Sequence, residues 1–264
     1  MAVQSFSRAI VRPPERNFAA GLTSAAEGPP DFGRAVEQHA GYVRALRECG
    51  LDVTVLAPDG EHPDATFVED TAIVTARGAV VTRPGAPSRE GEVQSIAQCL
   101  REFFNDLPAI EAPGTVDGGD ICEADGHFLI GVSARTNASG ARQLGHLLAE
   151  FGYASSVVDI RSTPGLLHLK SGIAYLGDGT WVADAGIESD LRSQRAVEVR
   201  DVIVASPAEA YAANCVRVND AVLLAAGYPQ MSAALSRGAW RVLTLEMSEF
   251  RKMDGGLSCL SLRF

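Results

Sequence analysis

The chain has 264 residues, of which 46% are hydrophobic and 21% charged, and its formal net charge is −10. This apolar fraction is enough for a folded core, and the acidic balance argues against a nucleic-acid-binding surface, which needs basic patches. No apolar run approaches the ~20 residues that span a bilayer, and the N-terminus has no signal-peptide pattern. We therefore expect a cytoplasmic protein with no nucleic-acid partner and no membrane partner.

Strand and helix patterns alternate along the chain. Strands are predicted, in chain order, at Ala9–Val11, Val53–Leu56, Ala72–Val74, Ala79–Thr82, Phe128–Ile130, Ile173–Tyr175, Trp181–Val182, Val202–Val204, Cys215–Val218, Ala221–Ala225, Arg241–Leu245 and Cys259–Leu262. Helices are predicted at Phe32–Cys49, Glu92–Phe104, Ala138–Phe151 and Met231–Arg237. This alternation predicts an α/β fold.

Polar motifs interrupt these elements at similar intervals. Spacings of 45 to 50 residues separate Leu22, Asp70, Gly118, His168, Asn214 and Cys259. A period of this length is typical of propeller-like and other repeat architectures, so it predicts five units whose equivalent ends converge on one pocket. No Pro/Ser-rich linker divides the chain, and we expect a single domain over residues 1–264.

One of the five cysteines follows a turn that suits a chemical role. The cysteines are Cys49, Cys99, Cys122, Cys215 and Cys259. The sequence has no C-x-x-C pair, which argues against a structural zinc site and favours free thiols in a reducing compartment. Cys259 comes shortly after Asp-Gly-Gly at 254–256 and begins the last predicted strand. We expect that strand to hold the sulfur at a cleft, although any free cysteine can instead be a packing residue.

The other candidate groups are one imidazole, several carboxylates and two arginines. His168 is the candidate general base, because an imidazole titrates near neutral pH; a core histidine is the competing interpretation. The acidic candidates are Asp64, Glu69, Asp70, Asp117 and Asp120. Carboxylates in turns are often caps, but clustered carboxylates at a dry site need a cation, which is either a metal ion or a guanidinium group. Arg89 and Arg135 are candidates for binding a ligand carboxylate.

Taken in order, these motifs resemble the dimethylarginine dimethylaminohydrolases, members of the guanidino-group-modifying superfamily that also contains arginine deiminase and the amidinotransferases. The resemblance covers nearly the whole chain. The matching segments are GLTS at 21–24, PDATFVED at 63–70, TRPGAPSR at 82–89, PGTVDGGD at 113–120, SARTN at 133–137, LHLK at 167–170, ANC at 213–215 and KMDGGLSCLSLRF at 252–264.

The resemblance implies a five-fold pseudosymmetric α/β propeller of ββαβ units and a role for each matching residue. Those roles are Cys259 as nucleophile, His168 as general acid and base, Asp117 as its acidic partner, Glu69 and Asp70 at the guanidinium end or neighbouring polar groups, Asp64 at the α-amino group, Arg89 and Arg135 at the α-carboxylate, Leu22 on a lid loop, and Asp254 as a further substrate-binding residue. Position 117 is Asp where some relatives have Glu, which keeps the charge on a shorter side chain.

The implied reaction is hydrolysis of asymmetric dimethylarginine or monomethylarginine to citrulline and an amine, through a covalent thiouronium intermediate. The resemblance implies no cofactor and no metal, and a small cationic amino acid as the partner; a homodimer is compatible with it. Three alternatives stay open from the sequence. They are an arginine deiminase-type reaction on unmethylated arginine or a related guanidino compound, a metal site built on His168 and the carboxylates, and a catalytically inactive binding module.

Overall fold

The computed structural model describes residues 5–264, so the first four residues of the predicted domain lie outside the described residues. Within that range the strands are β1 (Arg8–Val11), β2 (Asp52–Val55), β3 (Ala72–Val74), β4 (Ala79–Val81), β5 (Ile121–Ala124), β6 (His127–Val132), β7 (Ala154–Asp159), β8 (Ile173–Gly177), β9 (Thr180–Asp184), β10 (Asp201–Ala205), β11 (Val216–Val218), β12 (Ala221–Ala225), β13 (Arg241–Leu245) and β14 (Leu262–Arg263). The α-helices are α1 (Phe32–Glu48), α2 (Val93–Leu100), α3 (Ala138–Glu150), α4 (Leu169–Gly172), α5 (Glu188–Ser193), α6 (Pro229–Leu235) and α7 (Ser248–Arg251).

The strands form small sheets that share one plan. The three-stranded sheets have the orders β14-β1-β2, β5-β6-β7, β8-β9-β10 and β11-β12-β13, and β3 pairs with β4 alone. In each three-stranded sheet the middle strand is antiparallel to the first strand and parallel to the third. Parallel neighbours need a crossover connection, and α1, α3, α5 and α6 lie in those four connections. The fold is therefore α/β, as the alternating patterns predicted.

The first strand of every sheet faces the same space. Residues of β3, β5, β8, β11 and β14 line one cavity of about 160 Å³, which we call the central cavity. The loops and short helices next to these strands are thereby brought together from distant parts of the sequence. Asp70, Asp117, His168 and Cys259 all come from such segments.

The two longest helices begin at side-chain caps and bury one face. Asp31 accepts a hydrogen bond from the backbone N–H of Arg34 at the start of α1, and Asn137 accepts one from Gly140 at the start of α3. Such caps satisfy N–H groups that have no partner within the helix. α1 buries Tyr42 completely, so the helix is held against its sheet by apolar packing.

Several predicted elements differ from the structure. The predicted strand Cys259–Leu262 is wrong in its first half, because Ser258–Leu260 is a 3-10 helix and β14 begins only at Leu262. The predicted helix Glu92–Phe104 is shorter, at Val93–Leu100, and the predicted Met231–Arg237 helix lies two residues earlier. Strands β5 and β7 and helices α4, α5 and α7 have no counterpart among the predicted elements.

Across residues 5–264, none of the helices combines the length and the apolar character that crossing a bilayer demands.

Candidate active site

A small cavity collects most of the predicted site residues; we call it the cysteine cavity. It has a volume of about 30 Å³. The predicted residues on its wall are Leu22, Asp64, Asp70, Arg89, Arg135, His168, Asp254 and Cys259. Phe67, Leu167 and Met253 supply apolar surface beside them. Asp117 and Glu69 are not on the wall. Asp117 is hydrogen-bonded to His168, which is on it, and Glu69 precedes Asp70, which is on it too.

His168 is held by a buried carboxylate. It precedes the short helix α4, and its Nε2 lies 3.0 Å from Oδ2 of Asp117. The other oxygen of Asp117 accepts a hydrogen bond of 2.7 Å from the backbone N–H of Gly85. A Cβ on Gly119 would lie 2.7 Å from Nδ1 of His168, so glycine is needed there to admit the ring. These contacts fix the orientation of the imidazole.

The charge around His168 favours its protonated form. Burial alone would lower the pKa of this histidine, but the carboxylates of Asp70, Asp117 and Asp120 outweigh that effect and raise the pKa to about 9. The ring is therefore an imidazolium at neutral pH. It is equipped to give a proton before it takes one.

Cys259 lies in the 3-10 helix and not in a strand, contrary to the sequence-based expectation. Its Sγ is 3.4 Å from the backbone N–H of Gly256, which donates to it. Burial, and then the charges of Glu69 and Asp70, raise the pKa of the thiol to about 12. Without a bound cation this cysteine is a neutral thiol, because the surrounding carboxylates disfavour the thiolate.

Asp70 and Arg89 form a buried ion pair at the cavity wall. Asp70 accepts hydrogen bonds from Arg89 at 2.6 Å and from the backbone N–H of Gly119 at 2.8 Å. Arg89 also donates to both carboxylate oxygens of Glu92 and to the carbonyl of Phe67. Burial raises the pKa of Asp70, but His168 and Arg89 outweigh it and bring the pKa down to about 2. Most donors of Arg89 thus already have partners within the chain.

Residues 21–24 form another part of the site, where Leu22 lies on the cavity wall. The backbone N–H of Leu22 lies 3.1 Å from both carboxylate oxygens of Asp64. Asp254 accepts hydrogen bonds from the backbone and the hydroxyl of Ser24. Leu22 itself is 42% exposed. We call residues 21–24 the lid, after the role that the resemblance implies for Leu22; the carboxylates of Asp64 and Asp254 bind this segment.

Arg135 is the more accessible of the two predicted carboxylate-binding arginines. Its side chain is 20% exposed, against 5% for Arg89, and its Nη1 lies 3.9 Å from Oδ2 of Asp117. Its guanidinium group therefore keeps donors that can reach a ligand. The two arginines differ in how much of their hydrogen-bonding capacity remains.

A metal-binding interpretation has a candidate donor set. Within the described part of the chain, ligand-type atoms of Asp70, Asp117 and His168 lie within 4.8 Å of one another. Each of these side chains already has protein partners, as described above. The positive charges of Arg89 and of protonated His168 already offset these carboxylates, which disfavours a further cation among them.

The groups that connect the predicted site residues were not among the predicted ones. Lys170 donates to Glu69 at 2.6 Å, and the hydroxyl of Ser258 donates to the other oxygen of Glu69 at 2.8 Å. Asp120, noted only as an acid, accepts from the backbone N–H of Leu169, next to His168. Their one sequence signal is adjacency, because each stands within three residues of a predicted catalytic group.

Known proteins are similar to this chain along nearly its whole length. A relative from Pseudomonas aeruginosa strain PAO1, named N(G),N(G)-dimethylarginine dimethylaminohydrolase, is 45% identical over 98% of this chain and 100% of its own. The chain belongs to the dimethylarginine dimethylaminohydrolase family. No model of a known protein family matches it.

Solved structures of the dimethylarginine dimethylaminohydrolases have the same fold. A cysteine-to-serine variant from Pseudomonas aeruginosa in complex with citrulline superposes with a TM-score of 0.93 at 44% identity, covering 99% of this chain and 100% of that one. A histidine-to-glycine variant, solved as an adduct with S-methyl-L-thiocitrulline, has a TM-score of 0.93 at 44% identity over 98% of this chain. The family identified from the sequence motifs is confirmed.

Proposed function

We propose that this chain hydrolyses asymmetric dimethylarginine and monomethylarginine to citrulline and the corresponding methylated amine. The observation that carries the proposal is the 45% identity, along the whole chain, to the relative of that name. The site supports it, because Cys259, His168 and Asp70 line one cavity and provide a thiol, an acid and a fixed negative charge. A guanidinium ligand is the cation that such a carboxylate-rich cavity would accept.

In the first step, Cys259 acts as the nucleophile. Arrival of the guanidinium cation offsets the charges of Glu69 and Asp70 that keep the thiol neutral, so Sγ releases its proton to solvent as the cation binds and then attacks the guanidinium carbon. His168, protonated at neutral pH, gives a proton to the departing nitrogen. The C–N bond breaks, the amine leaves, and a thiouronium cation remains on sulfur. Asp70 stabilises that cation by fixed charge.

In the second step, the neutral imidazole takes a proton from water as the water oxygen attacks the thiouronium carbon. The C–S bond then breaks, and the proton left on the attacking oxygen passes to sulfur. This releases citrulline and returns the sulfur to a thiol and His168 to its protonated form. Asp117 holds the ring between the two steps and stabilises its charged form. One histidine thus serves as the acid and then as the base.

At the other end of the ligand, Asp64 binds the α-amino group, and Arg135 and Arg89 bind the α-carboxylate. The accessibility of Arg135 supports a direct contact with the α-carboxylate. Arg89, most of whose donors already have partners in the chain, would contribute mainly its positive charge there. Glu69 contributes through its bonds to Lys170 and Ser258, the neighbouring polar groups at the back of the nucleophile. Asp254 supports the lid over the ligand.

Substrate entry requires the lid to open. A cavity of about 30 Å³ holds only one or two water molecules, which is far smaller than an amino acid. Opening has to break the bonds from Leu22 to Asp64 and from Ser24 to Asp254. Closing of the lid after binding excludes water during the first step; water is needed only in the second step.

We also propose that the five sheets are arranged as a five-fold pseudosymmetric propeller of ββαβ units within a single catalytic domain. The shared strand plan and the lining of the central cavity by the first strand of each sheet support it. The compartment proposed is the cytoplasm, on the ground that all five cysteines are free. For assembly we keep the homodimer, which light scattering of the purified protein would test.

The decisive experiment is a citrulline assay across arginine, monomethylarginine and the dimethylarginines, with the released amine measured in parallel. We expect the methylated substrates to have the higher kcat/KM, and one amine released per citrulline. Arginine as the better substrate would overturn the proposal in favour of the deiminase-type reaction. Activity lost on chelation and restored by a metal ion would favour the metal alternative.

A further inference from the structure

Asn214 is a buried amide that lies behind the reacting groups. It follows the 3-10 helix Pro207–Ala213, precedes β11, and is 7% exposed. It is not on the wall of the cysteine cavity. Its amide lies behind the residues that line that cavity.

All three hydrogen bonds of this amide go to the two segments that carry the reacting side chains. Its Oδ1 accepts from the backbone N–H of Ser258 at 2.9 Å. Its Nδ2 donates to the hydroxyl of Ser258 at 3.1 Å and to the backbone carbonyl of Lys170 at 2.9 Å. Ser258 is adjacent to Cys259, and Lys170 comes two residues after His168. Only a side chain with both a donor and an acceptor makes this set of bonds.

The bonds close into a ring. Ser258 donates its hydroxyl proton to Glu69, and Lys170 donates to the second oxygen of the same carboxylate. The two segments are thus joined twice, once through Asn214 and once through Glu69. A Cβ on Gly256 would lie 2.5 Å from the carboxamide of Asn214. The chain therefore has glycine at the one place where the nucleophile segment must approach the amide.

We propose that Asn214 is a positioning residue that fixes Cys259 relative to His168 by joining their two segments. The inference rests on the proposed function, in which these two side chains react in turn with one carbon atom. A misplacement of ~1 Å in such a pair costs on the order of 100-fold in rate. The amide sets that geometry without touching the ligand.

The chain offers a matched control. Asn219 also makes three hydrogen bonds that join separate segments, accepting from the backbone N–H of Phe6 and donating to the carbonyls of Phe6 and Cys49. It is not on the wall of the cysteine cavity either. The substitutions Asn214→Asp and Asn219→Asp each remove an amide donor that makes two bonds. The new carboxylate faces the carbonyl of Lys170 and the hydroxyl of Ser258 at the first position, and the carbonyls of Phe6 and Cys49 at the second.

The test measures kcat, KM and thermal midpoint for both variants. We expect Asn214→Asp to lower kcat by ~100-fold with KM changed by less than ~3-fold, and Asn219→Asp to keep the parent kcat at a similar loss of thermal midpoint. A kcat for Asn214→Asp within about twofold of the parent would overturn the proposal. The proposal would also be overturned if both variants lost kcat in proportion to their loss of thermal midpoint.

A second readout does not depend on the substrate. Alkylation of Cys259 by iodoacetamide, followed by mass spectrometry across pH 6 to 10, reports how the thiol is held. We expect Asn214→Asp to change the alkylation rate at a given pH by at least ~3-fold, with Asn219→Asp unchanged. If Asn214→Asp fails to fold, Ser258→Ala replaces it, with Ser258→Thr as the conservative rescue. A parent protein without methylarginine turnover would refute the proposed function, whereas an unchanged alkylation profile would refute the role of Asn214.

Discussion

The two ends of the cysteine cavity are built differently. At the reacting end, His168, Asp117 and Asp70 are buried and each is fixed by hydrogen bonds to backbone or side chains. At the lid end, exposed residues are held by the carboxylates of Asp64 and Asp254. A preorganised end suits charge stabilisation in the transition state, whereas an end that opens suits admission and release. Substitutions at the first should therefore change kcat, and those at the second should change KM.

The largest effect is expected at the nucleophile. Cys259→Ser should lower kcat by at least ~10³-fold, because a serine hydroxyl is not activated by the arrival of a cation. Binding of substrate, measured by calorimetry, should largely survive. Cys215→Ser is the control, since Cys215 is a buried thiol off the wall of this cavity. Retention of more than about one-thirtieth of the parent kcat in the Cys259 variant would contradict the assigned role.

The acidic partner of His168 is the next test of the reacting end. Asp117→Asn keeps the size of the side chain and removes the charge that stabilises the imidazolium, so we expect kcat to fall by ~10²-fold or more. The pKa read from the pH–rate profile should fall as well. Asp59→Asn is a matched control, because Asp59 lies 3.0 Å from Nδ1 of His62 in a pair away from the cavity. An unchanged pH–rate profile for Asp117→Asn would contradict the role of Asp117 at the reacting end.

The raised pKa of His168 also makes stability depend on pH. The pKa is raised from 6.5 to about 9 in the folded chain, so folding favours the protonated ring. That contribution to the free energy of unfolding, of up to about 3 kcal/mol, is complete below pH 6.5 and disappears as the pH rises through 9. Urea unfolding at pH 6, 7.5 and 9 measures it. His168→Gln should flatten the curve; the same slope in the variant would assign the effect to other groups.

The lid end is tested by Asp64→Ala. We expect KM to rise by ~10-fold and kcat to change by less than ~3-fold, because the proposed role of Asp64 is to bind the unreacting end of the substrate and because it accepts a hydrogen bond from the lid. Steady-state kinetics with monomethylarginine measures both values. A fall of kcat larger than the rise of KM would show that this carboxylate acts on the reacting groups.

The smallest effect is expected at the outer attachment of the lid. Asp254→Asn retains an oxygen that accepts from Ser24 and a residue type that tolerates the left-handed backbone, here with φ of 55°. We expect KM to rise by ~2-fold with kcat unchanged, and the rate of ligand release in stopped flow to increase. A slower release would contradict the view that this bond holds the lid closed.

The fold was predictable where apolar runs were distinct. Strands β3, β12 and β13 have the predicted bounds. β7 was missed because its segment has only one buried residue and is identified by pairing with β6, a contact between distant positions. The segment at Cys259 has the apolar pattern of a strand, but Ser258–Leu260 forms a 3-10 helix. In that helix Ser258 bonds to Asn214 and Glu69, which are distant in the sequence.

The site was predictable in its residue types and much less in its connections. Cys259 and His168 stood out because reactive side chains follow turns, and the structure brings both to one cavity. The bonds of Lys170 and Ser258 to Glu69 join positions more than a hundred residues apart. No local pattern announces such contacts, because they depend on which strand ends converge.

The narrowness of the closed cavity has a consequence for inhibitor discovery. Docking into this conformation, held rigid, would select fragments of only a few heavy atoms and would reject every arginine-sized compound. Compounds should instead be selected against conformers in which residues 21–24 swing aside. The association rates of such compounds would then report how often the lid opens. Asp254→Asn should raise the association rate of every one of them by a similar factor.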